Sequence, residues 1–184
     1  MPAEDDRGAV IEAAPVLFEI DDVRGDDPLL AVHGDARQVP LYASKFTTQR
    51  VVAPFKYSYG ARLRGHQGVD QLAWVVDLLR TRPYSKSGWI SLTAPGEVPD
   101  AVPCLTGLAF RLRGGHLVMT AAFRSQNAYT SYLNYLPLRD VQREVARDLR
   151  TACGPMRVFV DVPHVYVADA AKVATILHAM PHVA

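Results

Sequence analysis

Apolar residues recur at helical spacing in two long segments of the chain. Residues 69–82 carry five apolar side chains on one face, and Pro83 follows them, so a helix is predicted there. Residues 138–151 carry four apolar side chains in a second stripe, which predicts another helix. Asp70 stands at the start of the first segment, where an aspartate caps a helix by accepting a hydrogen bond from a backbone N–H.

Two shorter helices are predicted near the ends of the chain. One begins just before Pro28, which suits a first helical turn, and ends at Gly34. The other covers residues 170–179. The pattern over residues 36–58 fits neither the helical nor the strand period, apart from a β-rich piece at residues 50–52.

Runs rich in β-branched and aromatic residues indicate strands. They cover residues 16–20, 88–92, 105–112, 116–123 and 157–162. Gly114 and Gly115 separate the third and fourth runs, which is a strong signal for a two-residue hairpin. Pro163 is expected to end the last strand, because proline lacks a backbone N–H. Together, these elements predict an α+β domain with a large mixed β-sheet and flanking helices.

The boundaries of the domain follow from composition and length. Residues 1–15 are rich in Ala, Asp and Glu and end at a proline, so they are expected to form a flexible N-terminal tail. Residues 16–184 are expected to form one domain, because a chain of 184 residues has the size of a typical single domain.

Charge and composition exclude several classes of protein. The chain has 20 Lys and Arg against 19 Asp and Glu without a basic stripe, so no binding to a nucleic acid polymer is expected. No apolar stretch reaches the roughly 20 residues that a bilayer requires, and the acidic N-terminus is unlike a signal peptide. Two cysteines form no disulfide framework, and the histidines lack the spacing of metal ligands. We therefore expect a cytoplasmic protein with no membrane partner and no metal site.

Cys104 is a candidate nucleophile. It follows Pro103 at the start of the predicted hairpin, and Arg124 ends the second hairpin strand, so strand pairing brings a cation near the thiol. Arg124 and Ser125 together offer a planar set of donors and a hydroxyl, which suit a phosphate. The alternatives are a cysteine that fills space in the core and an arginine that lies on the surface.

His164 and Tyr166 form a second candidate pair after the last predicted strand. In an extended segment these two residues project from the same face, so they could present two polar groups to one ligand. A purely structural role is the alternative for both.

Several short motifs follow one another along the chain. They are Tyr59–Arg64 (YGARLR), Gly68–Leu72 (GVDQL), Pro103–Cys104, Phe123–Tyr129 (FRSQNAY) and His164–Tyr166 (HVY). In this order, over residues 27–168, they resemble thymidylate synthase and the related pyrimidine-nucleotide hydroxymethylases. The chain is identified on these motifs as a shortened and divergent member of that superfamily.

The resemblance implies a fold, a reaction and a partner. The family has an α+β fold in which two copies pack their sheets face to face, so a homodimer is expected. The apolar residues of the predicted hairpin support this, because they alternate too little for a sheet with one wet face. In the family a cysteine adds to C6 of a pyrimidine nucleotide, and C5 then attacks the one-carbon unit of 5,10-methylenetetrahydrofolate.

The resemblance also assigns roles to individual residues. Cys104 corresponds to the nucleophile, and Arg124 and Ser125 correspond to the pair that binds the phosphate of the pyrimidine nucleotide. His164 and Tyr166 correspond to the pair that forms hydrogen bonds with the sugar.

Two further catalytic residues are implied by the same resemblance. Tyr59 belongs to the tyrosine-glycine motif beside the active site. Asp27 aligns with the family's catalytic glutamate and would relay protons at the base.

Three positions depart from the family pattern, and four residues of this chain are concerned. Lys86 stands where the family has two adjacent arginines that reach the partner's phosphate, and Asn127 replaces an aspartate. The asparagine that recognises the base falls at Tyr135, although a slip of one residue would place Asn134 there. We include all four among the candidate substrate-binding residues, and the departures at Asn127 and Tyr135 make another base an open alternative.

The use of folate is a further open question. Only residues 167–184 follow the HVY motif, whereas the family has a longer segment that closes over folate. Three functions therefore stay open. They are transfer of a methyl or hydroxymethyl group to C5 of a pyrimidine nucleotide, folate-independent chemistry by the same cysteine on another small molecule, and nucleotide binding without catalysis.

Overall fold

The structure is a computed structural model that describes residues 1–5 and 7–179. The hairpin predicted at Gly114 and Gly115 forms part of its β-sheet. Strand β5 (Leu105–Arg113) pairs antiparallel with β6 (His116–Asn127) along nearly its whole length. Both glycines have positive φ values, 56° and 79°, as a tight turn between twisted strands requires.

The hairpin belongs to a mixed sheet of seven strands. Its other strands are β1 (Pro2–Asp5), β2 (Gly8–Glu12), β3 (Val16–Ile20), β4 (Trp89–Ser91) and β7 (Ala152–Tyr166). The strand order is β1-β2-β7-β6-β5-β4, with β3 also paired to β7. Among the described strands, β6 and β7 form the one parallel pair. The predicted α+β class with a mixed sheet is confirmed.

Six helices accompany the sheet in the described residues. They are α1 (Pro28–His33), α2 (Gln38–Thr47), α3 (Tyr59–Gly65), α4 (Gln71–Thr81), α5 (Tyr132–Asp148) and α6 (Ala170–Ala179). Single 3₁₀ turns lie at Pro99–Ala101 and Val167–Asp169. Asp70 caps α4 as predicted, because its carboxylate accepts a hydrogen bond from the backbone N–H of Ala73. None of the described helices combines the length and the apolar character that a bilayer crossing requires.

The longest helix and the longest strand both extend further than predicted. Helix α5 begins six residues earlier and contains Pro137, which removes only one intrahelical donor near its start. Strand β7 continues through Pro163. On one edge β7 pairs with β3 up to Val160 and then with β2 from His164, so the proline lies in the gap between two partner strands.

Partners distant in sequence decide the local structure of two further segments. Instead of a flexible tail, residues 2–12 contain the β1–β2 hairpin, which pairs with the end of β7 and buries Val10. Residues 50–52 form no strand, although their side chains favour one, because no neighbouring strand pairs with them. Helix α2 occupies part of the segment that fitted neither period, and α3 begins directly after that segment.

Candidate active site

The backbone around Cys104 is fixed from two sides. The N–H of Cys104 donates to the phenol oxygen of Tyr57 at 3.4 Å, and the N–H of Leu105 donates to that of Tyr59 at 3.1 Å. The carbonyl of Cys104 accepts from the N–H of Arg124 at 2.9 Å. The cysteine thus lies where the start of β5, the end of β6 and the tyrosines before and within α3 meet.

The hairpin register brings Arg124 and Ser125 to Cys104, as the sequence predicted. The hydroxyl of Ser125 lies 3.9 Å from the Cys104 sulfur and donates toward it. The Arg124 guanidinium donates from Nε to the Pro103 carbonyl at 3.2 Å and from Nη2 to the Val102 carbonyl at 3.0 Å. A hydroxyl therefore contacts the thiol, and a cation bonds to the backbone just before it, at the exposed end of the hairpin.

Lys45, on α2, is a second cation at this site that the sequence analysis missed. Its side chain is buried, and burial lowers the pKa of Lys45 to about 8, while the negative charge of Cys104 acts in the opposite direction. The ammonium nitrogen lies 4.1 Å from the ring centre of Tyr57 and 4.5 Å from those of Phe55 and Tyr59. No motif marks this lysine, because it lies in the segment whose pattern fitted no period.

Arg7, in the turn between β1 and β2, is the third cation. Its side chain interacts with the hydroxyl of Tyr166. Burial raises the pKa of Tyr42 and lowers that of Lys45, and the charge of Arg7 acts on both groups as a smaller, lowering influence. Arg7 is not among the predicted site residues, because residues 1–15 were expected to be a tail. Arg7 in fact belongs to a hairpin that pairs with β7 and reaches the cysteine site.

His164 and Tyr166 contact each other at the end of β7. Their rings form an edge-to-face pair with 5.5 Å between ring centres. The Tyr166 hydroxyl donates to the Asp5 carboxylate at 2.7 Å, and burial together with this bond raises the pKa of Tyr166 to about 12. Asn127 is the register partner of His164, and its side-chain oxygen accepts from the N–H of Tyr129.

Tyr135 links the cysteine end of the hairpin to a cavity. Its hydroxyl donates to the side-chain oxygen of Gln126 at 3.0 Å, and burial raises the pKa of Tyr135 to about 12. Gln126 directly follows Ser125 and is buried, and its side-chain nitrogen has no hydrogen-bond partner among the described residues. Asn134, the alternative base-recognition residue, is the half-buried neighbour of Tyr135 in the first turn of α5.

The cavity lies between α1, the start of α5 and α6, and its volume is about 440 Å³. Aromatic walls come from Tyr129, Tyr132 and Tyr135, and apolar side chains of α1 and α6 complete the lining. Asp27 also lines the cavity, where its carboxylate caps α1 by accepting from the N–H of Leu29 at 2.8 Å. The described residues contain no group of three or more acidic, His or Cys side chains able to hold a metal ion.

Not every predicted site residue lies at the cysteine. Lys86 precedes β4, whose first residue, Trp89, is opposite Ala109 on β5. Ala109 is about 16 Å from Cys104 along the strand, and the chain before Trp89 leads further away from Cys104. Tyr59 is fully buried and its hydroxyl contacts the backbone of Leu105, so its contacts are those of a positioning residue. Asp27 lines the cavity next to Tyr135, and no described contact joins Asp27 to Cys104.

Comparison with known proteins finds relatives along most of the chain, although no family model matches it. A protein of Methanothermobacter thermautotrophicus named "Putative thymidylate synthase" is 32% identical over 115 residues, which are 61% of this chain. The match covers 52% of that relative, so this chain spans about half its length. Proteins of the same name from Methanosarcina barkeri and Methanopyrus kandleri are 28% identical, and the matches cover 90% and 91% of this chain and 78% and 79% of the relatives.

Proposed function

We propose that this chain, a divergent thymidylate synthase-like protein, transfers a one-carbon unit to C5 of a pyrimidine 5′-nucleotide by a covalent adduct between Cys104 and C6. The observation that carries the proposal is the environment of the thiol. Ser125 donates toward the sulfur, and Arg124 bonds to the carbonyls of the two residues before Cys104. Lys45 interacts electrostatically with Cys104 and with Arg7. A site with one nucleophile and three cations suits an anionic substrate that must accept a thiolate.

The thiolate forms the first bond. Its electron pair makes the bond from sulfur to C6, and the electrons of the C5–C6 double bond move onto C5 and the adjacent carbonyl. C5 then bonds to an electrophilic carbon, and the bond from that carbon to its carrier would break with the electron pair left on the carrier. A hydroxyl from water would complete a hydroxymethyl group, and a hydride from the reduced carrier would complete a methyl group. Loss of the proton from C5 and departure of the thiolate restore the double bond and free the enzyme. Without a one-carbon electrophile, C5 takes a proton from solvent and loses it again, so the hydrogen at C5 exchanges.

The remaining polar residues hold the nucleotide in this proposal. Arg124, Arg7 and Ser125 bind the phosphate, because guanidinium groups and a hydroxyl match its oxygens. His164 and Tyr166 bind the sugar hydroxyls.

In the same proposal, Asn134 and Tyr135 contact the hydrogen-bonding edge of the base. Asn127 adds a neutral amide close to His164, where it can contact the bound nucleotide. The Tyr135 hydroxyl already donates its hydrogen bond to Gln126. The base that fits must therefore accept an aromatic hydroxyl group next to this edge.

The cavity beside Tyr135 fits the ring system of 5,10-methylenetetrahydrofolate. Three tyrosine rings and apolar side chains offer stacking surfaces to a flat pterin, and the carboxylates of Asp22 and Asp27 are acceptors for its N–H groups. Bound there, the cofactor would supply a one-carbon unit at the oxidation level of formaldehyde. Asp27 would then be the residue that holds and relays a proton between the cavity and the base.

A homodimer completes this proposal. Leu17 and Phe159 are register partners on β3 and β7, and both are exposed, at 69% and 39%. Trp89 on β4 is also exposed. Apolar side chains exposed along a sheet are typical of a protein interface. Within one chain Lys86 does not reach Cys104, so it would contribute to the phosphate of a partner's substrate.

Proton NMR in D₂O tests the function directly. The protein is incubated with UMP, dUMP, CMP or dCMP, and loss of the C5 hydrogen signal is followed without any folate. We expect exchange with one of these nucleotides, no exchange with Cys104→Ala, and normal exchange with Cys153→Ala as the matched control. Absence of exchange with all four nucleotides in folded protein would contradict the proposed chemistry. Nucleotide binding without exchange would instead support the non-catalytic alternative.

A further inference from the structure

The buried position of Lys45 is the least expected feature of the site. The side chain is only 7% exposed, and among the described residues no carboxylate forms an ion pair with it. Burying an ammonium group away from water is costly unless other groups replace its hydration. Here the faces of Phe55, Tyr57 and Tyr59 do so, at 4.1–4.5 Å from the nitrogen. The three rings and the lysine together are called the lysine cage below.

The lysine cage and the nucleophile share one framework. Two of the three cage rings, Tyr57 and Tyr59, accept hydrogen bonds from the backbone N–H groups of Cys104 and Leu105. The cage therefore holds the ammonium group at a fixed position relative to Cys104. A flexible surface lysine could not do this, because it would lose several rotatable bonds of freedom on pairing.

We propose that Lys45 is the positioning cation of Cys104, which the aromatic cage holds in place so that its charge stabilises the thiolate. This rests on the proposed function in one respect only, which is that Cys104 is the nucleophile. Lys45 acts through Cys104 and touches no substrate. The charge is more effective than an exposed one, because the surrounding rings exclude water.

The charged and titratable groups around Lys45 determine the pH range of this effect. Burial lowers the pKa of Lys45 to about 8, Cys104 acts in the opposite direction, and Arg7 adds a smaller lowering effect. Tyr42, Tyr57 and Tyr59 also line this region, and burial raises the pKa of each above its usual value of 10, so they stay neutral in the same range. Lys45 is therefore a cation at neutral pH and loses its charge above pH 8.

Alkylation of the thiol by iodoacetamide tests the proposal in the full chain, because only the thiolate reacts. Rates at Cys104 and Cys153 are measured separately by mass spectrometry between pH 6 and 9, with Cys153 as the internal reference. We expect Lys45→Met to lower the rate of Cys104 alkylation at pH 7 about tenfold, because the fraction of Cys104 present as thiolate falls by about that factor. Lys45→Arg keeps a rate closer to wild type, and the exposed Lys172→Met is the matched control.

The possible outcomes test the role of Lys45 independently of the proposed function. If the Cys104 profiles of Lys45→Met and wild type coincide, the proposal is overturned, whatever the nucleotide exchange experiment gives. If the profile shifts but no nucleotide exchanges, Lys45 keeps its role and the proposed substrate is wrong.

A reciprocal measurement covers the case in which Lys45→Met fails to fold. The ¹³Cε signal of Lys45 is titrated in wild type and in Cys104→Ser, which leaves the cage unchanged. We expect the Lys45 midpoint to fall in Cys104→Ser, because the thiolate no longer favours the ammonium. An unchanged midpoint would mean that the two groups do not interact, and Lys45 would then be a cation that only fills its cage.

Discussion

The phenol oxygen of Tyr59 accepts a hydrogen bond from the N–H of Leu105 at 3.1 Å, which ties the first residue of α3 to the first residue of β5. Both residues are fully buried. Tyr59→Phe would leave the Leu105 N–H without this partner, and a buried donor without a partner costs about 1–3 kcal/mol. We therefore expect the free energy of unfolding to fall by about that amount, as measured by urea denaturation. Tyr84→Phe, which alters an exposed ring, is the control and should change little.

Gly60, next to Tyr59, has a separate packing requirement. A Cβ atom at this position would lie 2.2 Å from the carbonyl oxygen of Thr48 and 2.8 Å from that of Phe46. Both contacts are with backbone, so α3 would have to move away from the end of α2. We expect Gly60→Ala to destabilise the fold by about 2–3 kcal/mol and to slow alkylation of Cys104. Gly65→Ala in the same helix is the control, because its Cβ would meet only the Gln49 side chain at 3.5 Å. Equal stability of the two variants would contradict this account.

Local patterns predicted the elements whose partners are close in sequence. The β5–β6 hairpin and the Asp70 cap both follow from a few adjacent residues, and so does the placement of Arg124 and Ser125 beside Cys104. The missed features depend on distant pairing. Arg7 reaches the site only because β2 pairs with the end of β7, a contact between residues more than 150 positions apart.

Lys45 illustrates a second limit of the sequence. Its burial depends on three aromatic residues in a loop and a short helix, none of which has a helical or strand period relative to it. A lysine in an unpatterned segment predicts an exposed side chain. Only the folded chain places the rings around the ammonium group.

Arg124 is expected to distinguish nucleotides from nucleosides. A charged hydrogen bond to phosphate contributes about 1.5–3 kcal/mol, so Arg124→Met should weaken binding of a 5′-nucleotide at least tenfold. Binding of the corresponding nucleoside should change little. Isothermal titration calorimetry measures both, with Arg143→Met as an exposed control on α5. If both ligands weakened in parallel, Arg124 would act by holding the Val102–Pro103 loop rather than by binding phosphate.

The exposed apolar pair on the sheet is expected to control self-association. Phe159→Asp places a charge next to Leu17 on the surface that would be covered in a dimer. A desolvated, unpaired charge disfavours an interface strongly. We expect sedimentation velocity to show a dimer for wild type and a monomer for Phe159→Asp at micromolar concentration. Val51→Asp, an exposed apolar position outside the sheet, is the control and should stay dimeric. A wild-type protein of 20.2 kDa in solution would exclude the dimer.

The buried Lys45 is expected to make stability depend on pH. In the folded chain its pKa is lowered to about 8 from 10.5, so between these values the unfolded chain binds more protons than the folded chain. The free energy of unfolding therefore rises with pH across this window, because stability increases wherever the unfolded state holds more protons. Below pH 8 both states are protonated and Lys45 causes no such rise.

The matched comparison is with Lys45→Met, which keeps the volume and removes the titrating group. Urea denaturation at pH 7, 8 and 9 should show wild type gaining about 1 kcal/mol relative to the variant by pH 9, from the lowered pKa of Lys45. Most of this gain falls between pH 8 and pH 9, because Lys45 is still largely protonated in the folded chain at pH 7. Parallel pH profiles for the two proteins would mean that burial does not disfavour the lysine charge, and the aromatic rings would then replace its hydration fully.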